Sequence, residues 1–184
     1  MAVFAGRATV LDMLKNFAFV TFGYLFGGLV YAGLFWACYS RLGDSLDHKM
    51  GLKAAAIATA KTIKYEDEGV IGWFTCFCKA IACNWMVTMG VIMTMTTKST
   101  VGRIAAMWMP IMTFFAHGYE HAVVNFFVIP AGIMFDADVT FVHWLWWNQI
   151  PVLLGNFLGG CFLTGIPLAL SYRVPAATGP PPAP

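Results

Sequence analysis

No charged residue lies between Phe17 and Tyr39. At about 1.5 Å of rise per residue, that run as a helix crosses a hydrocarbon core of roughly 30 Å with its backbone hydrogen bonds satisfied internally. A chain that carries it is built for lipid. The rest of the sequence agrees, with 59% hydrophobic residues against 11% charged and a mean hydropathy of +0.71, far outside the balance of soluble domains. A net charge of +2 with scattered Lys and Arg gives no basic stripe, which excludes nucleic acid as a partner.

Three further apolar segments are expected to span, for four in all: approximately residues 17–39, 73–97, 104–135 and 149–172. The second reaches its length only if Lys79 snorkels to the interface. The third would measure about 48 Å as a straight helix, so it must tilt or break. Pro110 and Pro130 are the expected break points. The cluster Trp144, Trp146 and Trp147 suits an interface just before the fourth span. Between the first two spans, Ser40 to Gly72 reads as an interfacial helix, amphipathic around Lys53 to Lys64, plus a loop. Residues 1–172 thus form one membrane domain, and 173–184 a disordered Pro-rich tail.

The third segment holds an anomaly. Glu120 and His121 sit in its middle, and a charge in hydrocarbon costs at least ~3 kcal/mol on insertion scales, so it usually serves a function. On a continuous helix His121 and Asn125 share a face, with His117 one turn earlier and Phe114 two turns earlier, while Glu120 points about 100° away. Asn84 and Asn156 add an amide each in the second and fourth spans. Each admits two readings, an interhelical hydrogen bond or a place on a permeation path. Metal and redox chemistry fit poorly: Cys76 and Cys78 have a one-residue spacer, and His117 and His121 find no third His or Cys ligand except distant His143, which lies in a loop. No Walker loop, dinucleotide fingerprint or nucleophile elbow is present. Neither a metal nor an organic cofactor is therefore expected, and the chain does not read as an enzyme.

Gly23-Tyr24-Leu25-Phe26-Gly27-Gly28 in the first span is echoed by Gly155-Asn156-Phe157-Leu158-Gly159-Gly160 in the fourth. A repeat period of three helices gives the two copies opposite orientation, as in transporters built from inverted repeats. The complete molecule would then have six spans, of which this chain carries the third to the sixth.

The runs Cys83-Asn84-Trp85-Met86-Val87, Gly118-Tyr119-Glu120-His121-Ala122-Val123-Val124-Asn125 and Gly155-Asn156-Phe157-Leu158-Gly159-Gly160 resemble the fourth, fifth and sixth helices of the formate/nitrite transporter family. The resemblance implies an all-α integral membrane protein with an aquaporin-like inverted-repeat fold. It implies a homopentamer, when complete, with one pore per protomer for small monovalent weak-acid anions such as formate and nitrite. By the same resemblance His121 is the central pore histidine, Glu120 and Asn125 orient its neighbourhood, and Asn84 and Asn156 lie near the path. Phe114 matches a hydrophobic constriction residue, and Lys61 matches a family lysine by its Ala-rich context. Tyr24 stands where the family usually has Asn. The family's first helix and most of its broken second helix are expected to be missing, Met1 to Lys15 matching at most the end of the second. The expected function is a multi-pass membrane channel or transporter whose pore histidine makes permeation pH-dependent or proton-coupled. The partners are a small anion, a proton and membrane lipid, and the alternative is a truncated, non-transporting subunit of the same family.

Overall fold

A computed structural model describes residues 2, 3 and 6–171; the tail expected at 173–184 lies outside them. The first helix, α1 (Val10–Tyr39), starts ahead of the charge-free run because Thr9 and Asp12 form a capping box, with Asp12 N–H donating to Thr9 Oγ1 at 3.1 Å and Thr9 N–H to the Asp12 carboxylate at 2.9 Å. Two of the orphan donors of the first turn are met in this way. The chain then turns through Arg41, Leu42 and Gly43, all at positive φ. It continues as α2 (Lys49–Lys61), α3 (Ile63–Asp67) and α4 (Gly69–Met95).

One face of the segment expected at the interface packs on a protein neighbour. Gly51, Ala54 and Ala58 are buried in α2, and α2 lies along α6 (Ala122–Met134). Its small residues explain the contact: a Cβ on Gly132 of α6 would press on Ala54 O and Ala58 Cβ, so the two backbones approach closely. An amphipathic pattern of Ala and Lys marks a helix with one small-residue face, and here that face meets a protein neighbour. Lys79 does not snorkel. Its ammonium turns inward and donates to Tyr65 Oη at 3.3 Å.

The third apolar segment is two helices, α5 (Thr100–Ala116) and α6, and the break falls at neither proline. Pro110 lies inside α5, where it packs against Gly90, and Pro130 inside α6. Helices in lipid-facing bundles tolerate an internal proline when neighbours accommodate the freed carbonyl. The stop signal is Gly118 at φ +61°, the left-handed conformation that favours glycine. Gly118 N–H donates to Phe115 O at 3.1 Å and Tyr119 N–H to Phe114 O at 3.0 Å, the pairing of a Schellman motif.

After α6 comes a long rod, Phe141–Ser171, made of α7 (Phe141–Trp144), a π turn (Leu145–Gln149), α8 (Ile150–Gly160), a second π turn (Cys161–Gly165) and α9 (Ile166–Ser171). Among the described residues three helices are long and apolar enough to cross a membrane: α1, α4 and this rod. The packing follows the glycines. A Cβ on Gly155 would lie 2.5 Å from Phe77 O, one on Gly159 would press on Ile81 O, and one on Gly28 would lie 2.8 Å from Phe126 O. Thus α8 seats on α4, and α1 on α6. The echo is unequal in use: Gly155, Gly159 and Gly160 all meet α4, whereas in α1 only Gly28 meets a neighbour and Gly23 and Gly27 face open space.

The α4–α8 contact has no slack at Gly159, so Gly159→Val should destabilise the bundle by roughly 1–3 kcal/mol. Thermal unfolding in detergent checks this, and an unchanged midpoint would contradict the packing described.

Candidate functional site

The break between α5 and α6 brings unpaired backbone into the apolar interior, and side chains from other elements satisfy it. Asn156 of α8 does most of this. Its Oδ1 accepts from Ala122 N–H at 2.9 Å, and its Nδ2 donates to Glu120 O at 3.0 Å and to Ala80 O of α4 at 2.9 Å. One amide thereby caps the first donor of α6, holds the extended residue before it and ties both to α4. Asn84 of α4 in turn donates to Asn156 O at 2.6 Å. Of the two sequence readings for these amides, this geometry is the interhelical one.

Glu120 is 1% exposed, and its carboxylate gathers four donors. Oε2 accepts from Lys61 Nζ at 2.7 Å, Asn125 Nδ2 at 2.8 Å and Asn148 Nδ2 at 3.2 Å, and Oε1 from Tyr65 Oη at 2.9 Å. An isolated buried carboxylate is prohibitively costly, and here an ion pair and neutral donors jointly replace its hydration. Asn148 also donates to Lys61 O at 3.0 Å and accepts from Asn125 at 2.8 Å, so α2, α3, α6 and the first π turn meet at one carboxylate. Both Asn148 and its neighbour Gln149 are buried. Consecutive residues of an ordinary α-helix diverge by about 100°, and a π turn is the usual local device for altering that phase at functional positions.

His121 stands apart from this cluster. It is the N-cap residue of α6, in an extended conformation (φ −122°), and its ring stacks on Phe114 with centroids 5.7 Å apart and 21° between planes. Its Nδ1 is buried and has no partner among the described residues. The continuous-face expectation therefore fails. Asn125 joins Glu120 rather than His121, and the exposed His117 closes α5 with its Nδ1 2.8 Å from Thr113 O. Angular projection holds only within one helix, and residues 117–121 are not helical. Of the residues singled out from sequence, the structure joins Lys61, Glu120 and Asn125 in one cluster, Asn84 and Asn156 in a second, and His121 with Phe114 in a third arrangement at the same break.

Tyr65 and Asn148 escaped the sequence reading, and Lys79 was read there only as a residue that snorkels. Asn148 lies just ahead of the expected fourth span, in the stretch read as a connection, and the structure places it buried in a π turn. Lys79 carried the clearest signal, as the sole charged side chain in α4. No three His, Cys, Asp or Glu side chains among the described residues gather closely enough to hold a metal ion.

A family model described as formate/nitrite transporter matches residues 1–170. The match starts at the first residue and so lends no support to the expected N-terminal truncation. The chain is 34% identical to formate channel FocA of Haemophilus influenzae, with 88% of this chain and 60% of that protein covered. It is 31% identical to formate channel BtFdhC of Bacillus thuringiensis, covering 94% and 62%. It thus spans about three fifths of the length of these relatives. A solved structure, a pentameric formate channel with formate bound, superposes with a TM-score of 0.75 at 26% identity, over 91% of this chain and 69% of that one. The fold is accordingly an aquaporin-like all-helical bundle, and the protein is integral to the membrane and crosses it more than once. With 170 residues matched and the break, the glycine contacts and the buried carboxylate in place, the chain belongs to the formate/nitrite transporter family.

Proposed function

We propose that this chain provides a transmembrane path for small monovalent anions of weak acids, formate or nitrite in kind, with His121 as its central ionisable group and a homopentamer as its assembly. The observation that carries the reading is the imidazole at the N-cap of α6, between two apolar half-helices, with a buried ring nitrogen left unpartnered among the described residues. The channels to which the chain is similar support the substrate class.

The mechanism follows from desolvation. A monovalent anion entering a dry constriction loses its hydration, and nothing apolar replaces it. At the break it meets the N-terminal end of α6, which favours negative charge, and an imidazole able to be cationic. Proton transfer from the imidazolium N–H to an oxygen of the anion leaves neutral imidazole and a neutral acid, which crosses apolar surroundings at far lower cost. The stacked Phe114 narrows the approach and excludes water. Glu120 sits beside this point, yet its charge is compensated by Lys61 and does not repel the passing anion.

Acid conditions populate both the imidazolium and the protonated substrate, so flux should rise as pH falls. In proteoliposomes, His121→Asn should abolish that pH dependence, and an unchanged pH profile would overturn the proton-exchange role. The same assay on the chain alone distinguishes a conducting protein from a non-transporting subunit, since absence of formate flux would contradict the proposal. The carboxylate cluster yields a stability prediction. Lys61→Met or Glu120→Gln alone should cost roughly 3–5 kcal/mol when it strands a buried charge, and the double substitution should cost less than the sum. Thermal unfolding of the four forms reads the coupling; strict additivity would mean that the pair acts separately.

A further inference from the structure

Lys79 is the sole charged side chain of α4, a helix otherwise apolar enough to cross a membrane. Its neighbours Val70, Ile71, Phe74, Thr75 and Cys78 line a shallow, mostly apolar groove with it. A cation in such a position is retained against a cost of several kcal/mol, and the group that compensates it indicates what it does. That group is Tyr65, which is 4% exposed. Lys79 Nζ lies 3.3 Å from the phenol oxygen and 5.3 Å from the ring centroid, within range of a cation–π contact.

The direction of the chain of hydrogen bonds is fixed by the donor inventory. A phenol has one O–H, and Tyr65 spends it on Glu120 Oε1 at 2.9 Å. Its oxygen is then left as an acceptor, and an ammonium can only donate. The order is therefore Lys79 to Tyr65 to Glu120. A cation bonded to the phenol oxygen polarises the O–H and makes it a stronger donor to the carboxylate, as in any hydrogen-bonded chain in a low-dielectric interior.

We propose that Lys79 is a positioning residue of the carboxylate site, acting on Glu120 through Tyr65 at the carboxylate oxygen that Lys61 does not bond. The titratable groups facing Glu120 are then Lys61 from α2, Tyr65 from α3 and Cys76 from α4, with His121 next to it in the chain and Lys79 behind the phenol; Asn125 and Asn148 complete the shell. With both lysines charged and the carboxylate ionised, the cluster carries one excess positive charge. That sign suits a site beside which an anion passes.

The test does not depend on transport. The full chain is labelled with 13C at the Glu side-chain carboxyl and reconstituted in bilayers, and the Glu120 carboxylate stretch is read by infrared spectroscopy, assigned by its loss in Glu120→Gln. Tyr65→Phe removes one donor and sets the full shift. Lys79→Met should move the band in the same direction by roughly a tenth to three tenths of that shift, and Lys79→Gln, a second uncharged variant, should do the same. Lys79→Arg should restore the native position. In the Tyr65→Phe background, Lys79→Met should add nothing. A band unmoved by either uncharged variant, or a Lys79 effect that persists without the Tyr65 hydroxyl, would overturn the proposal.

Discussion

A carboxylate cannot stay ionised in an apolar interior unless other groups take over the work of its hydration shell. Glu120 imposes that requirement at the point where four elements converge. Lys61, Tyr65, Asn125 and Asn148 answer it from α2, α3, α6 and the first π turn. The helices have few polar side chains with which to specify their mutual rotation, since apolar contacts between helices in lipid are weakly directional. Four hydrogen bonds to one carboxylate supply that direction. They fix α2 against the bundle and give the π turn its purpose.

A second polar arrangement makes the break itself possible. Helix ends inside a membrane expose donors and acceptors that water cannot reach. The Schellman closure at Gly118 satisfies the end of α5 locally, whereas the start of α6 borrows Asn156 from α8. Glycines at positions 155 and 159 bring α8 close enough to α4 for the same amide to reach Ala80 O as well. Small residues and one amide thus hold open a discontinuity that places His121 at a helix N-terminus, stacked on Phe114 and with a ring nitrogen unpartnered among the described residues.

Much of this was legible in the sequence, and the parts that were not share a cause. The charge-free run, the overlong third segment and the Glu120–His121 pair are statements about composition, which lipid makes decisive. The position of the break was misread because proline is the stronger breaker in isolation, whereas Gly118 marks the conformation that the turn requires. Helical projection separated Glu120 from Asn125 and joined His121 to His117, because it assumed a helix through residues where the chain is extended. Asn148 was hidden by a π turn that no periodicity announces. The motif resemblance supplied Lys61, and only the fold put its ammonium on Glu120.

The imidazole at the break is proposed to respond to the anion it serves. Solid-state 15N NMR of the histidine-labelled chain in bilayers tests this directly, with the His121 signals among the four histidines assigned by their loss in His121→Asn. Adding formate at constant, mildly acidic pH should shift the His121 signal toward the imidazolium form while the other three stay in place. A His121 signal indifferent to formate across that range would contradict it.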